Sequence, residues 1–130
     1  MGTRFILDTN TVIYLCNGGM PVNAVNFLRK EVQQGIFLSI ISEIELLGWN
    51  APSQQEADIL EFFVAGSDII QLTRPIVLKT IEIRKTHKIK LPDTIISATA
   101  IVYDLTLISR NDSDFKKILG LKYLNPFTDL

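Results

Sequence analysis

Short apolar runs alternate along this chain with longer segments of helical periodicity. Arg4–Leu7 is apolar after its first residue, stops at Asp8, and predicts a first strand. Thr11–Leu15 follows as a short helix, closed by Asn17-Gly18-Gly19, residue types that punctuate regular structure. Beyond Pro21, the apolar positions Val22, Val25, Leu28 and Val32 recur at helical spacing, with Arg29, Lys30 and Glu31 between them. Gly35 ends that helix, and the β-branched run Ile36–Ile41 predicts a second strand. Ser42 and Glu45 have the spacing of a capping box, opening a helix that Gly48 and Pro52 stop. Helical periodicity resumes over Ser53–Ala65, and Asp68–Leu72 predicts a third strand. Pro75 suits the first turn of a helix running to about Lys85. Pro92-Asp93 opens another helix, with Ile96, Ala100 and Ile101 on one face. Leu105–Ser109 is a fourth strand, Ser113–Ile118 a brief helix before Gly120, and Leu121–Leu124 a last strand. Strands and helices alternating over short connections imply an α/β fold, a mostly parallel sheet covered on both faces. At 130 residues the chain is expected to form one domain, residues 1–130.

Composition narrows the function classes more than it selects among them. Apolar residues make up 47% and charged residues 21%, as in ordinary globular domains. A net charge of −1 excludes a global basic field, so nucleic-acid binding would need a local patch. The single cysteine, Cys16, excludes an internal disulfide and fits a reducing compartment. Charged or polar residues interrupt every apolar run before the roughly 18–20 residues of a membrane span, and no apolar signal core opens the sequence. A cytoplasmic protein without a membrane partner is expected.

The candidate chemistry lies in four carboxylates: Asp8, Glu45, Asp93 and Asp114. Each sits where a strand-like run gives way to a turn or helix start, in FILDTN, LSIISEIELLG, KLPDTIISATA and LISRNDSDF. In an open α/β sheet such positions converge on the crevice at the carboxyl ends of the strands. Four acids gathered without matching positive charge repel one another unless a hard divalent cation holds them. Each also has a local explanation. Asp8 suits a helix cap, Glu45 completes the capping box with Ser42, and Asp93 favours a helix N-terminus. Glu43 competes with Glu45, and Asp112 with Asp114. Thr9 and Asn10 offer groups that could orient a carboxylate or a metal-bound water.

Together these segments resemble the PIN domain, and within it the small VapC-type toxins; the resemblance extends over essentially the whole chain. It implies a three-layer α/β/α sandwich on a parallel sheet and a Mg²⁺- or Mn²⁺-dependent ribonuclease. It also implies an antitoxin protein that blocks the site, and a homodimer. The family's acids match Asp8, Glu45, Asp93 and Asp114, as catalytic and metal-binding residues. Gly48 arrives one position earlier than in the family's E-L-L-x-G stretch. The family's T-R-N carries over as Ser109, Arg110 and Asn111, with the hydroxyl retained. The implied roles are direct ligation by Asp8 and Asp93, and a second ion or a water held by Glu45 and Asp114. Thr9, Asn10, Ser109, Arg110 and Asn111 would support the acids or meet the substrate, with Asn10, Ser109 and Asn111 orienting phosphate or the acids.

Arg84, Lys85, His87, Lys88 and Lys90 form the densest basic stretch, immediately before Asp93, and suit an RNA backbone. The helices Val22–Gln33 and Ser53–Ala65, with Leu46, Leu47 and Trp49 between them, could form an apolar groove for a partner. Two rivals share the features. A phosphatase of the haloacid-dehalogenase class would use FILDTNTVI, but Asn10 stands where its second Asp belongs and no cap domain is present. A non-catalytic metal- or RNA-binding module would keep the acids without turnover. A dinucleotide fold is excluded by the lack of a Gly-rich turn after the first strand.

Overall fold

Five strands of three residues each form one sheet, in a computed structural model that describes residues 2–130. The strands are β1 (Phe5–Leu7), β2 (Phe37–Ser39), β3 (Asp68–Ile70), β4 (Thr106–Ile108) and β5 (Lys122–Leu124). They run in the order β3-β2-β1-β4-β5, every pairing parallel. Parallel neighbours require crossovers, and the seven helices supply them: α1 (Thr9–Asn17), α2 (Val22–Gln34), α3 (Ile40–Gly48), α4 (Gln54–Ala65), α5 (Arg74–Thr86), α6 (Leu91–Val102) and α7 (Asp112–Phe115).

Alternation along the strands divides the interior into two layers. Ile6 and Leu107 join Ile76 and Ile83 of α5 and Ile95, Ile96 and Ala98 of α6 on one face. Phe5, Leu7 and Ile108 join Val12, Ala24, Leu28, Leu46 and Leu60 on the other. Both faces of the sheet are therefore covered, giving the α/β/α sandwich expected from the sequence. Helix α6 is buried along most of its length, Thr94 to Ala100, which explains its apolar sequence. Gly18 ends α1 at φ +79°, a left-handed conformation that a side chain would oppose. No helix among the described residues is long and apolar enough to cross a membrane.

One expected boundary is corrected. The run Ile36–Ile41 was β-branched enough to read as strand throughout, yet β2 ends at Ser39. The Ser39 hydroxyl accepts from the Ile41 N–H at 3.1 Å, and α3 starts at Ile40. Packing of the half-buried Ile41 against the core from within α3 overrides the strand propensity of the run. Ser42 and Glu45 therefore form no capping box; both lie inside α3, and Glu45 is released from that local role.

Candidate functional site

The order of the strands reverses between β1 and β4, because β2 and β3 extend from one side of β1 and β5 from the far side of β4. A crevice opens at such a switch point, beyond the carboxyl ends of the strands. Asp8 follows β1 there and Ser109 follows β4. Asp8 is buried, 6% exposed, and both carboxylate oxygens are engaged. Oδ1 accepts from the Thr11 N–H at 2.9 Å, capping α1, and Oδ2 accepts from the Ser109 hydroxyl at 2.6 Å. Asp8 is thus a helix cap and a crevice acid at once. Burial pushes its carboxyl above the ordinary range against the pull of these donors.

The other three acids come from three further elements. Glu45 projects from α3, where the Thr9 hydroxyl donates to its Oε1 at 2.6 Å and lies 3.2 Å from the Ser42 hydroxyl. Asp93 stands in the first turn of α6 and lines a cavity of about 140 Å³ with Asp8, Thr9, Asn10, Glu45, Lys90 and Pro92. Burial raises its carboxyl to about 6, helped by the neighbouring carboxylates of Asp8, Glu45 and Asp114 and opposed by the Lys90 ammonium. Those couplings mark one electrostatic cluster drawn from four elements. Asp114, in α7, accepts from the Asn111 side-chain amide at 2.8 Å. The Asn111 N–H in turn donates to the Ser109 hydroxyl oxygen at 3.0 Å. A continuous chain of hydrogen bonds thus runs from Asp114 through Asn111 and Ser109 to Asp8.

The competing acids are directed elsewhere. The Asp112 carboxylate accepts from the Tyr123 hydroxyl at 2.6 Å and the Asn125 amide at 3.1 Å, tying α7 to β5 and the segment after it. Glu43 lines neither of the two cavities that contain Asp8. The basic stretch divides as well. Lys90 reaches the acid cavity, whereas Arg84 donates to the Ile89 carbonyl at 3.3 Å and holds the turn between α5 and α6. Lys85 and Lys88 are exposed and line neither cavity. The His87 ring lies between the Ile83 and Lys117 carbonyls, a bridging position away from the acids.

A second cavity, of about 310 Å³, shares Asp8 and is completed by Asn10, Tyr14, Ser109, Arg110 and Asn111. Tyr14 had no place in the expectations, although it lies one helical turn after Asn10 and so on the same face of α1. Phe127, against which Arg110 lies, belongs to the Pro126-Phe127 ending that adds to the family likeness, but nothing in its local sequence pairs it with Arg110.

A carboxylate set without histidine or cysteine suits Mg²⁺ or Mn²⁺. Among the described residues no three acids stand close enough to cage one ion. Mg²⁺ tolerates that spacing, since it commonly takes one or two carboxylates and keeps several waters.

A parallel sheet in this order, with four acids around its switch point, defines a class. The family model of the PIN domain matches residues 5–121, and the chain belongs to that family. Its structural neighbours are toxin–antitoxin complexes. VapBC2 from Rickettsia felis, bound to a DNA fragment from its promoter, gives a TM-score of 0.80 at 26% identity, covering 95% of this chain and 98% of the other. A toxin–antitoxin complex from Klebsiella pneumoniae gives 0.72 at 27% identity, covering 94% and 97%. DNA-bound VapBC from Salmonella typhimurium shares the fold, with a TM-score of 0.81 at 20% identity and coverage of 96% and 99%. No curated protein sequence matches the chain significantly.

Proposed function

We propose that this protein is a Mg²⁺- or Mn²⁺-dependent ribonuclease, the toxin of a toxin–antitoxin pair, acting in the cytoplasm as a single domain spanning residues 1–130. The observation that carries the reading is the convergence of Asp8, Glu45 and Asp93, from distant parts of the sequence, on one cavity, with Asp114 linked to Asp8 through Asn111 and Ser109. So costly a gathering of like charge is what a cation-binding site requires and what a purely structural site avoids.

When bound, a divalent ion supplies an acidified water and neutralises charge on the phosphate. Asp8 and Asp93 would be the direct ligands, as the family likeness implies; both line the same small cavity, which Glu45 also lines. Glu45 and Asp114 hold metal-bound water or a second ion. Thr9 orients the Glu45 carboxylate, Asn111 orients that of Asp114, and Ser109 orients that of Asp8. Asn10 lines both cavities and is placed to meet the scissile phosphate. Lys90, at the rim, draws the polyanion towards a cluster that would otherwise repel it.

A groove of about 420 Å³ between α1, α2 and α4, lined by Leu15, Val25, Val32, Ile59 and Phe63, supports an antitoxin helix as its occupant. Leu46, expected to contribute to it, is buried in the core instead, while Trp49 is partly exposed beside α1 and α4. A homodimer is proposed on family likeness, and light scattering tests it.

Purified protein is incubated with a structured RNA pool and Mn²⁺ or Mg²⁺, against EDTA and against Asp8→Asn. Asparagine still caps α1, so the variant separates chemistry from folding. Cleavage that needs the metal and is lost in Asp8→Asn is expected. Metal binding without cleavage of any RNA would favour the non-catalytic module.

A further inference from the structure

Arg110 lies next to the acid crevice in an arrangement that the acids do not account for. Its guanidinium sits 4.3 Å from the centroid of the Phe127 ring and 5.7 Å from that of Tyr14. The two rings meet edge to face at 5.5 Å, so each fixes the other beneath the cation. Among the described residues Arg110 makes no ion pair and its guanidinium donates no hydrogen bond, although the Asp8 carboxylate lines the same cavity. A guanidinium carries five donors in a planar fork that matches phosphate oxygens. Here the fork is exposed, held on an aromatic shelf, and lines the 310 Å³ cavity that shares Asp8 and Asn10 with the acid cavity.

The geometry points to a nucleotide-binding subsite in this second cavity: Arg110 grips the phosphate that follows or precedes the scissile one in single-stranded RNA, and Tyr14 faces the attached base. The assignment rests on the ribonuclease reading for its substrate, and adds a residue that selects and holds rather than cuts. Three features support it. The cavity is contiguous with the crevice through Asp8, as a flanking nucleotide demands. Its lining combines a free cation with an aromatic ring, the pairing by which proteins hold single strands. A shelf under the guanidinium limits its motion, so less freedom is lost when phosphate binds. An Arg placed merely to neutralise the acids would pair with one of them.

The test measures anisotropy of a labelled single-stranded 12-mer RNA with Asp93→Asn protein as the inert background, over a range of salt. Adding Arg110→Gln is expected to weaken binding about tenfold and to reduce the slope of log K against log salt by about 0.7, one single-strand phosphate contact. Arg110→Lys should restore the slope but only part of the affinity, because charge returns without the planar fork. Phe127→Leu should weaken binding severalfold with the fold intact by circular dichroism, and Phe127→Tyr should restore it. In wild-type background Arg110→Gln should raise KM and leave kcat and Mn²⁺ affinity within about twofold. Unchanged affinity and slope in Arg110→Gln, or loss of Mn²⁺ binding with KM unaltered, would overturn the subsite. Absence of any metal-dependent cleavage by wild type, with Arg110-dependent RNA binding retained, would instead overturn the nuclease and leave the subsite standing.

Discussion

Replacing Asp93 by Asn should make the metal-free protein more stable at neutral pH and, on the ribonuclease reading, abolish cleavage. In the folded chain the Asp93 carboxyl titrates at about 6, raised from 3.8 by burial and then by the carboxylates of Asp8, Glu45 and Asp114. Across that window the folded chain keeps a proton that the unfolded chain has already released. The contribution of this group is therefore most favourable below pH 4 and declines as pH rises towards 6, above which its full penalty applies. The complete displacement corresponds to about 3 kcal/mol. Solvent reaches part of this carboxyl, so roughly half of that, about 1.5 kcal/mol, is expected to survive screening. For a domain of this size the variant should melt about 5 °C higher in EDTA at pH 7. No hydrogen bond to the Asp93 carboxylate would be lost, and asparagine keeps its shape. The assay is a pair of thermal melts with EDTA, at pH 7 and pH 4, followed by melts with excess Mn²⁺. The gain should nearly vanish at pH 4, and Mn²⁺ should raise the melting point of the wild type far more than that of the variant. Equal melting points at pH 7, or a gain unchanged at pH 4, would refute the claim that charge crowding is the cause.

Three further outcomes follow from the same contacts. Ser109→Ala removes the donor to Asp8 and the acceptor for the Asn111 N–H in a fully buried position; it should cost about 1–2 kcal/mol in urea unfolding and lower cleavage at least tenfold. Tyr123→Phe leaves the Asp112 carboxylate without the hydroxyl that chiefly holds its pKa below the usual carboxylate range. Because a depressed folded pKa stabilises above the unfolded value, the deficit of this variant should be present at pH 7 and fade as pH falls below about 3.8, measured by urea unfolding at pH 7 and pH 3. Gly18→Ala places a side chain at φ +79° and should cost about 1 kcal/mol in a thermal melt, with Mn²⁺ affinity unchanged.

Periodicity and glycine placement made the element order legible, because each amphipathic segment buries a single face and the breakers lie between them. The failure at Ile40 and Ile41 has a physical cause: β-branched residues before a serine look alike in a strand and in the first turn of a buried helix. The candidate acids were marked by position, since Asp8 follows β1 and Asp93 and Asp114 lie in the first turns of α6 and α7. Distinguishing Glu45 from Glu43 and Asp114 from Asp112 on the residues alone was not possible, since those choices depend on which side of a helix faces Asp8. Only the resemblance to the PIN domain separated them. The hold of Thr9 on Glu45, across 36 positions, leaves no trace in local spacing. The same is true of Arg110 on Phe127, where the segments after β4 and β5 meet only in the folded chain.

The hydrogen bond between Ser109 and Asp8 joins positions 101 residues apart, across the one pairing that brings β4 beside β1. During vectorial synthesis β1, β2 and β3 emerge well before β4, so they can associate while Asp8 still lacks its partner. A growing chain can therefore gather Asp8, Glu45 and Asp93 only without Ser109 and Asp114, which follow β4, and on the ribonuclease reading the messenger and ribosome producing it face an unfinished site. Lethality, on the ribonuclease reading, is postponed by topology alone: the weapon is armed by the closing of the sheet, and an antitoxin need recognise only the finished article.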